Sequence, residues 1–155
     1  MSNSTICMPD LSKRPLGLRV ERFFPFSAEI LFKGWTINLD KWFAAPGTLL
    51  LRPAVNEPFF FETVFKAEGS DVTERHPHYG RFLKLKPNEL IQLTWLTGSA
   101  GTLGAETVVT IELLAQDKGT LLKLSHDGFE NKASKENHEQ AWPMVLDHMA
   151  NCLIA

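Results

Sequence analysis

Cysteine is scarce: only Cys7 and Cys152 occur in 155 residues, at opposite ends of the chain. Two thiols so placed make no disulfide framework, and they lead one to expect a reducing cytoplasm. Long apolar runs are missing as well. None approaches the ~20 residues of a membrane span. Met1 to Pro15 is polar around a short Ile6-Cys7-Met8 and holds no run of the length a secretory signal needs. Charge of one sign is also lacking. A net charge of −2 exerts no strong pull on nucleic acid or an anionic membrane, so neither is expected as a partner. There is no internal repeat and no low-complexity segment. What is present is a hydrophobic fraction of 44% against 22% charged, which excludes a disordered chain. A chain this long buries roughly two-thirds of its unfolded surface and folds without disulfide or metal.

The division expected is a flexible arm over residues 1–15, where Pro9 and Pro15 stand among polar residues, and one domain over 16–155. From Leu16 the texture changes. Leu16, Leu18, Val20 and Phe24 alternate with Gly17, Arg19, Glu21 and Phe23, the pattern of a half-buried strand that Pro25 ends. Arg22 falls on the inward side by parity, near one end. Ser27 can cap a short helix through Trp35, and Thr36 to Phe43 reads as a second short helical turn carrying Trp42.

From Thr48 to Phe129 strand follows strand. Thr48 to Arg52 is short. Phe59, Phe61, Thr63 and Phe65 share the inward face of the next. Tyr79 to Leu85 and Ile91 to Trp95 flank Lys86-Pro87-Asn88-Glu89, a turn because proline presets φ and asparagine tolerates the left-handed region. Glu106 to Leu114 and the strand of Leu122, Leu124 and His126 flank Asp117-Lys118-Gly119. Short hairpin-like connections imply an antiparallel meander. Ser134 to Ala155 is the long helical candidate. Trp142, Leu146, Met149 and Leu153 keep the spacing of one helix face, Val145 widens it, and Pro143 predicts a kink.

A sheet of six or seven strands with one apolar face must cover that face, and only the final helix is long enough. The expectation is an α+β fold, a curved antiparallel sheet wrapped around a C-terminal helix, with two short helices after the first strand. A cavity between sheet and helix is then the natural ligand site. Its candidate lining is Phe61, Phe65, Trp95, Trp142 and Met149, with Trp42 and His126 added. Most of the aromatics are read as core, because each contributes ~2–3 kcal/mol of burial.

His126 shares an apolar face with Leu122 and Leu124, where an imidazole could orient a ligand or move a proton; the plainer reading is a structural histidine. His76-Pro77-His78 holds two imidazoles that would face one way on a strand, but no third ligand has diagnostic spacing and Pro77 suggests a turn. His138 and His148 lie ten residues apart on the final helix, too far to share an ion, and read as solvated. No metal site and no cofactor are expected. Ser99 in Gly98-Ser99-Ala100-Gly101 lacks the strand-to-helix elbow of a nucleophile, so that stretch reads as a hairpin loop. No catalytic residue is assigned.

Three stretches carry a family resemblance. They are Gly80-Arg81-Phe82-Leu83-Lys84-Leu85-Lys86-Pro87-Asn88-Glu89-Leu90-Ile91-Gln92-Leu93-Thr94-Trp95; the pair Glu106 to Leu113 and Gly119 to Phe129; and Ala141-Trp142 followed by Leu146, Met149 and Leu153. Together they resemble the SRPBCC superfamily (START and Bet v 1-like), and within it the activator of Hsp90 ATPase homologue 1-like (AHSA1-like) C-terminal domains. The family usually has glycine where Ala141 stands, and Gly-Gly where Arg52-Pro53 is followed here by Ala54-Val55. The resemblance implies the helix-grip fold and, as function, non-enzymatic binding of a small apolar or aromatic molecule. The alternative is a polyketide cyclase- or aromatase-like enzyme in the same cavity, drawing on His126, Tyr79, Arg81 and Arg52. A co-chaperone of an Hsp90-type ATPase ranks third, and a homodimer is open.

Overall fold

The structure, a computed structural model, describes residues 6–66, 68–99 and 101–153. The start of the expected arm, Ala100 in the glycine loop and the last two residues of the expected helix lie outside the described residues. Six strands form one antiparallel sheet: β1 (Leu16–Phe24), β2 (Pro58–Lys66), β3 (Thr73–Lys86), β4 (Leu90–Trp95), β5 (Thr107–Gln116) and β6 (Gly119–Phe129). Their spatial order is β1-β6-β5-β4-β3-β2, so β2 to β6 pair with their sequence neighbours in four meander steps and β1 closes onto β6. Helix α1 (Ala28–Gly34) follows β1, and α2 (Lys132–Cys152) ends the fold. This is the helix-grip α+β architecture.

Local chemistry accounts for most of the boundaries. The Ser27 hydroxyl accepts from the Ile30 N–H and starts α1. Asn88 adopts φ +64° in the turn between β3 and β4, the left-handed conformation asparagine tolerates. The Asn131 side chain accepts from the Ser134 N–H and starts α2. That helix is continuous through Pro143, which sits on its exposed side, while Trp142, Leu146 and Met149 are buried against the sheet.

Three expectations change. The second short helix is a single 3-10 turn, Leu39–Lys41. Thr48 to Arg52 forms no strand, only an isolated bridge between Leu50 and Phe60. Pro77 lies inside β3 rather than in a turn, opposite Glu62 of β2. Its place is explained by direction. Tyr79 exchanges both backbone bonds with Leu96, so N–H groups of that parity point toward β4. Two residues earlier β4 has already ended, and the N–H that proline lacks would have met no partner strand.

Residues 6–15 carry no helix or strand, yet Arg14 ties them to the sheet. Its guanidinium donates to the Gly128 and Glu106 carbonyls, each at 2.8 Å. Arg81 of β3 also donates to the Cys7 carbonyl.

Candidate functional site

A cleft of about 780 Å³ opens between the end of the sheet formed by β2, β3 and β4 and the first half of α2. Three aromatic planes build its floor. Trp95 at the end of β4 lies parallel to Phe43 at 5.9 Å and meets Trp142 of α2 at 5.5 Å. Phe65 stands at the mouth, on the last turn of alternation in β2, and is 56% exposed. The loop after β4 forms the far rim. It is closed by reciprocal bonds between Thr97 and Thr102, each hydroxyl accepting from the other's N–H, and the Ser134 hydroxyl donates to Gly101 O at 2.7 Å. That last bond fixes the rim to the helix opposite.

Two imidazoles face this space from opposite walls, His78 on β3 and His138 on α2. In each the Nδ1 lies 2.8 Å from a backbone carbonyl, of His76 and Ser134 respectively. A carbonyl only accepts, so Nδ1 carries the proton and Nε2 is left as a bare acceptor in the neutral ring. Burial pushes the His78 pKa down to about 4, and the carbonyl bond only partly offsets it. Burial lowers His138 too. His78 lies flat on Phe61, with ring centres 4.6 Å apart.

His126 is held elsewhere. It is fully buried behind Trp142, whose indole N–H donates to its Nδ1 at 3.0 Å. The indole is a donor only, so the proton of His126 sits on Nε2, which donates to the Thr107 hydroxyl at 2.7 Å. Thr107 in turn donates to the Trp95 carbonyl. The relay runs in one direction and every polar atom in it is matched. Burial, then the neighbouring His138, keep the ring neutral. His126 therefore joins the two tryptophans of the floor from behind and presents no free nitrogen.

Of the residues singled out from the sequence, Phe65, Trp95 and Trp142 line the cleft. Phe61 lies one layer beneath, under His78. Trp42 is buried and donates its indole N–H to the Gly34 carbonyl at 2.6 Å. Met149, two helical turns past Trp142, packs against Gly34 of α1. Phe61, Trp42, His126 and Met149 thus belong to the wall and core, not to the cleft surface. The sequence pattern offers His78 only as half of a possible metal pair and gives no signal for Phe43, and His138, read there as solvated, is instead half-buried in the cleft wall. Helical spacing does place His138, four residues before Trp142, on the cleft side of α2. Among the described residues no group of three or more metal-ligating side chains converges, and no helix is long and apolar enough to cross a membrane.

Residues 25–153 match the family described as Activator of Hsp90 ATPase homolog 1-like protein. The chain belongs to this family. Among solved structures, protein CV1439 from Chromobacterium violaceum superposes with a TM-score of 0.74 at 22% identity, over 91% of this chain and 99% of that one. Protein MLL2253 from Mesorhizobium loti gives 0.69 at 20% identity, over 89% and 96%. DynU16, from the dynemicin biosynthetic locus, gives 0.69 at 14% identity over 88% of this chain and 46% of its own. At these identities the likeness is one of fold. No curated protein matches. The family match and the architecture agree: this member of the Activator of Hsp90 ATPase homolog 1-like family keeps the helix-grip frame and fills one end of it with aromatic rings.

Proposed function

We propose that the cleft binds a small hydrophobic or aromatic molecule, with α2 and the β2–β4 end of the sheet as its two walls. The carrying observation is the lining. A space of about 780 Å³ with Phe43, Phe65, Trp95 and Trp142 among its walls, and polar side chains of β3, the loop after β4 and α2 at its rim, has the size and composition of a small-molecule site. The parallel and tilted rings favour a flat ligand, since aromatic faces gain most from offset stacking.

A second reading, a cyclase- or aromatase-like enzyme in the same cleft, draws support from the unprotonated Nε2 atoms of His78 and His138. The residues first considered for such chemistry are dispersed. His126 is sealed behind Trp142, Tyr79 packs on Phe60 at 5.2 Å, Arg81 bonds Asn56, and Arg52 is exposed away from the cleft. Binding is the reading the geometry supports best.

The experiment is a thermal-shift screen against fatty acids, sterols, flavonoid-like aromatics and polyketide mimics, run on the parent chain and on Ala141→Trp. Ala141 lines the cleft from an exposed helix position, so an indole there obstructs the space without entering the core. A ligand at a hundred times its dissociation constant adds ~2.7 kcal/mol, a rise of roughly 5–10 °C for a domain of this size. A rise with one chemical class in the parent and none in the variant is expected. No rise with any class in the parent overturns the proposal.

A further inference from the structure

We propose that the cleft selects molecules that donate hydrogen bonds, aromatic rings bearing neutral hydroxyl groups, and that Nε2 of His78 and Nε2 of His138 read those hydroxyls. The inference rests on the reading of the cleft as a ligand site and names the class of molecule it takes.

The argument is one of committed and uncommitted lone pairs. Both Nδ1 atoms are spent on backbone carbonyls at 2.8 Å, which fixes the tautomer of each ring. Neither Nε2 has a hydrogen-bond partner among the described residues, and the two rings stand on opposite walls of one space. At the β3 rim Arg75 faces the Glu62 carboxylate at 3.6 Å, and Nε2 of His76 lies 3.3 Å from the Glu74 carboxylate. The hydroxyls of Thr63 and Ser99 also line the cleft, but a hydroxyl donates or accepts and does not discriminate. Two fixed acceptors do discriminate. An ether oxygen, a carboxylate or a phenolate brought against them leaves lone pair facing lone pair, and the unpaired acceptor costs more than a matched bond gains. Burial reinforces the arrangement, because it keeps His78 neutral down to about pH 4 and lowers His138 in the same direction.

The test uses the full chain and calorimetric titration with 2,6-dihydroxynaphthalene and its dimethyl ether, at pH 7. The diol is expected to bind at least about fivefold more tightly than the ether, the worth of one net hydrogen bond. In His78→Phe and in His138→Phe, which keep a ring but remove the acceptor, the ratio falls toward one while the affinity for the ether is retained. The ratio in the parent needs no variant and stands by itself. Equal affinities for diol and ether in the parent overturn the inference and leave the cleft a site for apolar rings. Failure of both probes to bind also overturns the inference, while the reading of the cleft as a ligand site stands or falls separately by the thermal-shift screen.

Discussion

The indole N–H of Trp142 donates to Nδ1 of His126 at 3.0 Å, and this single bond sets the tautomer of a fully buried histidine. Through Nε2 and Thr107 the same imidazole reaches the backbone of Trp95, so a helix and the end of a strand are joined beneath the cleft. The histidine acts as a spacer of defined polarity: one nitrogen accepts, the other donates, and both rings of the floor keep their planes.

If that is its role, His126 and Trp142 are energetically coupled. His126→Leu leaves a buried indole N–H unpaired, and Trp142→Phe leaves a buried imidazole acceptor unpaired. Each is expected to cost about 1–3 kcal/mol from this source, with packing losses added for the indole. The double variant should be less destabilised than the sum by roughly 1 kcal/mol or more, because neither orphan then remains. Urea denaturation of the four proteins measures this. Strict additivity would show that the bond contributes nothing.

The cleft histidines make stability depend on pH. His78 titrates at about 4 in the folded chain against an ordinary 6.5, so between those values the unfolded state binds more protons. Stability therefore rises with pH through that window and is lost as pH falls from about 6.5 toward 4. At pH 5 the loss from His78 is on the order of 2 kcal/mol relative to pH 7.5, a drop in Tm of roughly 4–8 °C. His126 and His138 shift in the same direction and add to it. His78→Phe should flatten the profile across pH 5 to 7. An unchanged slope in that variant would contradict the placement of His78.

Much of this frame is legible in the sequence, and the misses have physical causes. Alternation over Leu16–Phe24 and over Phe59, Phe61 and Thr63 finds the strands and their inward faces, and helical spacing brings Trp142 over the sheet. Phe65 obeys the same parity, but its ring stands at the open mouth of the cleft and stays exposed. His78 was hidden by Pro77. Alternation carried back from Phe82 through Gly80 puts His78 on the inward face, but a proline in the way reads as a turn unless the direction of its missing N–H is known. His126 is a different case. Parity correctly buries it, and only the positions of Trp142 and Thr107 show that both its nitrogens are occupied.

Gly80 marks where three strands crowd together. A Cβ at this position would lie 2.2 Å from the Thr94 carbonyl oxygen and 2.4 Å from the Phe59 ring. The carbonyl is ladder backbone and cannot step aside as a side chain does. Gly80→Ala should cost about 1–3 kcal/mol through overpacking. The cost falls on the strand segment that carries His78, so the variant should also bind cleft ligands more weakly. A variant as stable as the parent would contradict the register of β2, β3 and β4.

The most direct test of the cleft as a binding site is the indole region of a ¹⁵N–¹H spectrum, which holds one resonance for each of the four tryptophans. Trp95 and Trp142 line the cleft, whereas Trp35 and Trp42 do not reach its surface and lie one layer behind it, against Trp142 and Phe43. Titration with 2,6-dihydroxynaphthalene should move the Trp95 and Trp142 resonances saturably and by the largest amounts, with Trp35 and Trp42 shifting little. Movement confined to Trp35 and Trp42, or no movement at saturating ligand, would contradict the account.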